Sequence, residues 1–102
     1  MAALSDHEIK SKLVSVPDWQ VESGELVRTF LFKDFVGSLK FVNGVGELAE
    51  QAGHHPDIDI RYNKVRMLLT SHDSGGVTRR DTRMAKQISD IFAQSQQADK
   101  DG

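Results

Sequence analysis

The sequence predicts an α+β domain in the order α-β-β-α-β-β-α: a four-stranded antiparallel sheet with its helices packed on one face. Three observations carry that expectation. Segments 19–32 and 57–69 each read as a pair of strands around a turn. Each is followed by a stretch with helical spacing, and a third helical pattern opens the chain. A length of 102 residues bounds the chain to one domain, 1–102, which buries roughly 60–70% of its unfolded surface.

The first helix is expected from Ser5 to about Val14. Ser5 and Glu8 have capping-box spacing, and Leu4 and Ile9 stand where a hydrophobic staple places them. Pro17-Asp18 breaks the chain. Trp19 and Val21 alternate with Gln20 and Glu22, Ser23-Gly24 is a turn signal, and Leu26–Phe32 is rich in strand formers. In that second strand Leu26, Phe30 and Phe32 share one face and Val27 and Leu31 the other, so both faces are candidates for burial.

Asp34 is the expected N-cap of helix two and Gly53 its C-cap. Gly37, Gly44 and Gly46 lie inside, each costing up to ~1 kcal/mol relative to Ala. They point to close packing on a neighbour, with a break near Asn43-Gly44 as the rival reading. Helix three runs from Thr78 to about Ser95, burying Met84, Ile88, Ile91 and Phe92. The polar tail 96–102 is expected to fray.

The second hairpin fixes where the histidines go. Ile58, Ile60 and Tyr62 alternate with Asp57, Asp59 and Arg61, and Val65, Met67 and Leu69 resume the pattern. An Asn63-Lys64 loop pairs Tyr62 with Val65, Ile60 with Met67 and Ile58 with Leu69. Extended outward, this register puts Asp57 opposite Thr70 and His55 opposite His72, with Cβ atoms ~5 Å apart.

A net charge of −2 with well-mixed signs argues against a nucleic-acid or membrane surface. The absence of cysteine removes disulfides and zinc–thiolate sites. No signal peptide or membrane span is expected, so a soluble cytoplasmic protein is the expectation, with the nucleus open.

Acid–base chemistry fits His54, His55 and His72 best, because an imidazole with a pKa near ~6.5 exists in both forms around neutrality. A metal site stands as the weaker rival. Adjacent His54 and His55 point to opposite faces of an extended chain, whereas metal ligands use spacings that return to one face. Singly, His54 also reads as a cap, His55 as a turn residue and His7 as surface. Asp81, three residues after Thr78, either caps helix three or holds an imidazole. Glu50, one turn before His54, is placed to orient it.

At these residues the chain resembles the pterin-4a-carbinolamine dehydratases. Glu50, His54, His55, Pro56, Tyr62, His72 and Asp81 meet the family motif at every position, over about a third of the chain. The resemblance implies dehydration of 4a-hydroxytetrahydropterin to quinonoid dihydropterin, recycling the cofactor of aromatic amino acid hydroxylases. It implies no cofactor and no metal. It makes His54, His55 and His72 catalytic or substrate-orienting, with Glu50, Asp57, Thr70, Ser71 and Asp81 binding or orienting the pterin. Ile58 departs from the Trp of many relatives and removes an aromatic surface. Similar proteins form homodimers or homotetramers, and those in animals also stabilise the dimer of a homeodomain transcription factor. A binding module of that kind is the alternative to an enzyme.

Overall fold

Ser5 caps the first helix, α1 (Asp6–Leu13), with both reciprocal bonds of the capping box: Glu8 N–H to Ser5 Oγ at 3.1 Å and Ser5 N–H to Glu8 Oε1 at 2.9 Å. The structure is a computed structural model that describes residues 2–101, with side chains described for residues 2–96. Strands β1 (Gln20–Glu22) and β2 (Glu25–Leu31) join through Ser23 and Gly24, both at positive φ (50 and 79). A two-residue hairpin turn of this kind matches the right-handed twist of its strands. Helix α2 (Phe35–Ala52) follows, then β3 (Asp57–Arg61), β4 (Lys64–Leu69), a 3-10 turn (His72–Ser74) and α3 (Arg79–Asp101). The expected order α-β-β-α-β-β-α is the observed one. Helix α3 runs on past the expected end near Ser95, so residues 96–101, expected as a frayed tail, are helical, and Gly102 lies outside the described residues.

The sheet is antiparallel with strand order β1-β2-β4-β3. Its inner face supplies Leu26, Phe30, Val65, Met67 and Leu69, which meet Ile9 of α1, Phe41, Val45 and Ala49 of α2, and Met84, Ala85 and Ile88 of α3, all buried. Phe30 lies 4.7 Å from Phe41 and 5.1 Å from Phe92, centroid to centroid. The two-faced pattern of β2 resolves simply. Val27, flanked by Gln20 and Leu68, is buried, while Leu31 is exposed. Trp19 is buried, and its indole N–H donates to Ser89 Oγ at 2.9 Å. Arg28 also donates to Ser89 and lies over the Phe30 ring, and its burial lowers the guanidinium pKa.

Helix α2 is unbroken. Gly37 fits the close-packing expectation, since a Cβ there would stand 3.3 Å from Phe32 Cβ. At Gly44 the nearest atom, Ile91 Cγ2, is at an ordinary 3.6 Å. Gly46 has nothing within 4 Å of a built Cβ, so packing does not explain it.

The second hairpin corrects the expected register. The loop is Tyr62-Asn63, Ile60 pairs with Val65, Ile58 with Met67, and Asp57 with Leu68 rather than Thr70. The error is two residues, the one slip that a period-2 pattern cannot reveal, because it keeps every side chain on its face. Its cause is Tyr62, which takes φ 53 in the turn and is exposed rather than buried in the sheet. Tertiary bonds hold that turn. Buried Ser38 Oγ donates to Tyr62 O at 2.7 Å, and Asn63 Nδ2 donates to Phe32 O at 3.1 Å. Continued outward, the observed ladder sets His55 beside Thr70, and His72 has left the sheet.

Candidate active site

Two helix ends and one tight turn deliver the candidate residues. Helix α2 ends at Gly53 in the left-handed region (φ 62, ψ 30), and the His54 N–H reaches back to Ala49 O at 3.2 Å. This six-to-one bond is the mark of a Schellman end, and it fixes the exit of His54 from the helix. Two residues beyond β4, Ser71 forms an antiparallel bridge with Gly76, and the six-residue segment closes on itself. At its far side Thr78 precedes α3 and Asp81 stands in the first turn.

Asp81 is the hub. One carboxylate oxygen, Oδ1, lies 2.6 Å from His54 Nε2. The other, Oδ2, accepts from Ser71 Oγ at 2.8 Å and from Thr78 N–H at 2.9 Å. Ser71 Oγ and Thr78 Oγ1 are 2.9 Å apart, and Thr78 Oγ1 accepts from Arg80 N–H at 3.2 Å. Asp81 is fully buried and the His54 side chain is 11% exposed. The two readings of Asp81, helix cap and imidazole holder, are therefore both realised, one by each oxygen. A buried carboxylate persists only when its lone pairs are met, and here three donors meet them.

His55 has a different partner and setting. Its Nε2 lies 2.5 Å from Glu50 Oε2, and both side chains are exposed, at 60% and 79%. Glu50 thus orients His55, where the sequence assigns it to His54. The reason is the left-handed Gly53, which turns the chain so that His54 swings under the first turn of α3. For both rings the carboxylate takes Nε2, leaving Nδ1 as the nitrogen able to meet a substrate.

His72 is exposed in the 3-10 turn and does not face His55 across a ladder. The hydrogen-bond network itself runs from His54 through Asp81 to Ser71, and His72 and His55 are only the chain neighbours of its two ends. Ser71 is only 2% exposed and gives its hydroxyl to Asp81, so it supports the site from within. Thr70 is half-buried and Asp57 exposed, and neither side chain has a hydrogen bond among the described residues. Ile58 lines a groove with Val42, Gly46, Glu47 and Glu50, beside His55's carboxylate partner. No three His, Asp or Glu side chains come together as a metal-binding set among the described residues.

Sequence reasoning missed Thr78 as a link to Ser71, and missed the pair Asp73–Arg80, whose Oδ1 and Nη2 are 2.5 Å apart. That bond holds the Asp73 carboxyl below the ordinary carboxylate range and raises the Arg80 guanidinium. The capping spacing of Thr78 and Asp81 was the available signal for the first. A seven-residue separation across a loop gives none for the second.

The family model for pterin 4 alpha carbinolamine dehydratase matches residues 2–91. The chain belongs to that family. A protein of Chloroflexus aurantiacus, provisionally named a pterin-4-alpha-carbinolamine dehydratase, is 52% identical over 92 residues, covering 90% of this chain and 99% of its own. One of Acidobacterium capsulatum with the same name is 51% identical over 88 residues, covering 86% and 96%. Among solved structures, a transcriptional coactivator/pterin dehydratase from Brucella melitensis superposes with a TM-score of 0.85 at 32% identity, over 88% of this chain and 98% of that one. A pterin dehydratase-like RuBisCO assembly factor of the alpha-carboxysome matches at a TM-score of 0.62 and 19% identity, over 72% and 86%, which is a likeness of fold. All the residues of the network, from Glu50 to Asp81, lie within the span that the dehydratase family model matches.

Proposed function

We propose that this chain is a hydro-lyase that dehydrates a 4a-hydroxytetrahydropterin to quinonoid dihydropterin and water, with His54, His55 and His72 as its proton-transfer and substrate-orienting groups. Membership of the dehydratase family supports the reaction class and the pterin substrate. The observation that carries the histidine mechanism is the buried His54–Asp81 bond, tied through Ser71 to the turn bearing His72.

The reaction breaks the C4a–O bond and the N5–H bond. The hydroxyl leaves as water after taking a proton from an imidazolium. The N5 proton passes to an imidazole, and the N5 electron pair becomes the second bond of C4a=N5. His54 is the group best built to accept a proton. Asp81 holds its Nε2 and lies behind the ring as it takes up charge, in a site sheltered from water. His55 and His72, both exposed, complete the donor side and the grip on the pterin. Asp81 and Glu50 orient two of the rings, and Thr70 and Asp57 lie on the same segments as substrate contacts.

The experiment is the decay of chemically made 4a-hydroxytetrahydropterin with wild type, His54→Ala and His72→Ala. Wild type accelerates the decay and each variant loses most of that acceleration. Wild type no faster than buffer overturns the enzyme reading, and a rate abolished by chelation replaces it with a metal reading.

Exposed Phe35, Leu39, Ile58 and Ile60 support association with a second copy of the chain, so a homo-oligomer belongs to this proposal. Sedimentation velocity checks it, and a monomer throughout the micromolar range rules it out. The alternative of a module stabilising a transcription-factor dimer rests on the likeness to the Brucella transcriptional coactivator/pterin dehydratase alone and is not adopted.

A further inference from the structure

The first turn of α3 presents two consecutive side chains to two separate parts of the site. Asp81 turns inward to His54. Arg80, about 100° around the helix, turns to the loop that carries His72. Its Nη2 donates to Asp73 Oδ1 at 2.5 Å and to Ser74 Oγ at 3.3 Å. Those are the two residues directly after His72.

That loop has few other means of holding its shape. Its base is the pair Ser71 N–H to Gly76 O at 3.0 Å and Gly76 N–H to Ser71 O at 3.3 Å. Inside it, Ser74 N–H reaches Ser71 O at 3.0 Å and Gly75 N–H reaches His72 O at 3.3 Å. The His72 ring itself makes no hydrogen bond among the described residues, so its position is inherited from the backbone beneath it. Ser71 fastens the inner end of the loop to Asp81, and the Arg80 guanidinium fastens the outer end.

Arg80 also departs from an ordinary surface arginine. Its Nε is buried with no hydrogen-bond partner among the described residues, and its side chain is only 34% exposed. A long cationic side chain free to choose extends its head group into water. This one lies down over the turn and leaves a donor unmet, which identifies the contact with Asp73 and Ser74 as what sets its conformation.

We infer that Arg80 is a positioning residue for His72: its guanidinium straps Asp73 and Ser74 so that α3 sets the placement of His72 as well as that of His54. The inference rests on the reading in which His72 serves dehydration. It gives α3 a defined role, since one helical turn indexes two imidazoles that come from opposite ends of a hairpin.

The test compares wild type with Arg80→Met, which keeps the packing of the stem, and with Arg80→Lys, which restores a donor. Two quantities are read at a temperature where all three are folded: the kinetics of 4a-hydroxytetrahydropterin decay, and amide hydrogen exchange of residues 72–76. Arg80→Met lowers kcat by about 10–100-fold, the size of effect expected from a misplaced catalytic group. KM rises by less than kcat falls, because the change reaches the pterin only through His72, one of several groups that grip it, while the Arg80 guanidinium bonds Asp73 and Ser74. Exchange at Ser74–Gly76 accelerates while that at His54 and Thr78 stays as in wild type, and Arg80→Lys recovers part of both. An active wild type with an equally active Arg80→Met overturns the strap and leaves the dehydratase reading standing. A loss of kcat with unchanged exchange at 72–76 also overturns it. An inactive wild type overturns the dehydratase reading and, with it, any catalytic purpose for the strap.

Discussion

Replacing Asp81 by Asn changes the charge of the hub while nearly preserving its shape, and its consequences can be followed atom by atom. The carboxylate accepts from His54 at 2.6 Å, Ser71 at 2.8 Å and Thr78 N–H at 2.9 Å, with no solvent exposure. Thr78 N–H can only donate, so the carboxamide must set its oxygen toward Thr78 and Ser71 and its NH2 toward His54. The NH2 then donates to His54 Nε2. That imidazole is locked with its proton on Nδ1, the nitrogen the mechanism needs free to accept. A positioned general base contributes about 10²–10⁴-fold, and we expect kcat to fall within that range. Three bonds to a charged acceptor become neutral ones, a difference of roughly 1 kcal/mol each, so stability falls by about 2–3 kcal/mol. Asp81→Ala is harsher at about 3–5 kcal/mol, because His54, Ser71 and Thr78 N–H all lose their partner in a buried site. Initial rates of quinonoid formation and urea unfolding measure the two effects. An Asn variant that turns over like wild type, while folded, would refute the reasoning.

Three further outcomes follow from particular residues. Gly53→Ala should lose about 1–2 kcal/mol from the strain of a left-handed alanine alone, since nothing lies within 4 Å of the new Cβ; an unchanged urea midpoint contradicts it. Gly46→Ala, also with open space around it, should gain up to ~1 kcal/mol of helix stability in the monomer, yet weaken any dimer whose partner lies on that groove. Thermal melts and sedimentation at matched concentrations separate the two effects. The Asp73–Arg80 bond has a pH signature. Folding lowers the Asp73 pKa below its ordinary 3.8, so its stabilisation is fully present above that value and is lost as pH falls through the lower, folded one. The difference in Tm between wild type and Asp73→Asn should therefore hold steady from neutral pH down to about pH 4 and close only in stronger acid. A difference that closes between pH 7 and 5 points instead to a histidine.

Much of the fold could be read from short-range chemistry. The Ser5–Glu8 box, the Ser23-Gly24 turn, the Asp34 cap and the Gly53 end each depend on a few adjacent residues, and each formed as expected. The same locality explains the failures. Hairpin alternation specifies which face a side chain takes but is blind to a two-residue slip, and the turn that decides the slip depends on Ser38 and Phe32, distant in sequence. The partners of the two adjacent histidines depend on the direction in which a left-handed glycine releases the chain. Spacing along α2 favoured Glu50 for His54, and the three-dimensional exit gave Asp81 instead. The expected convergence of His55 and His72 across a ladder does not form. The hydrogen-bond network runs instead from His54 through Asp81 to Ser71, where a capping residue turns out to be the hub.

The account depends on three imidazoles serving one pterin site. The direct measurement is a titration of the protein with a stable dihydropterin, followed by the imidazole carbon–proton resonances of its four histidines. Signals of His54, His55 and His72 should shift along one binding curve with one Kd, while His7 on α1 stays in place. A pterin that binds with His72 unmoved, or that perturbs His7 as strongly as the rest, contradicts a shared site.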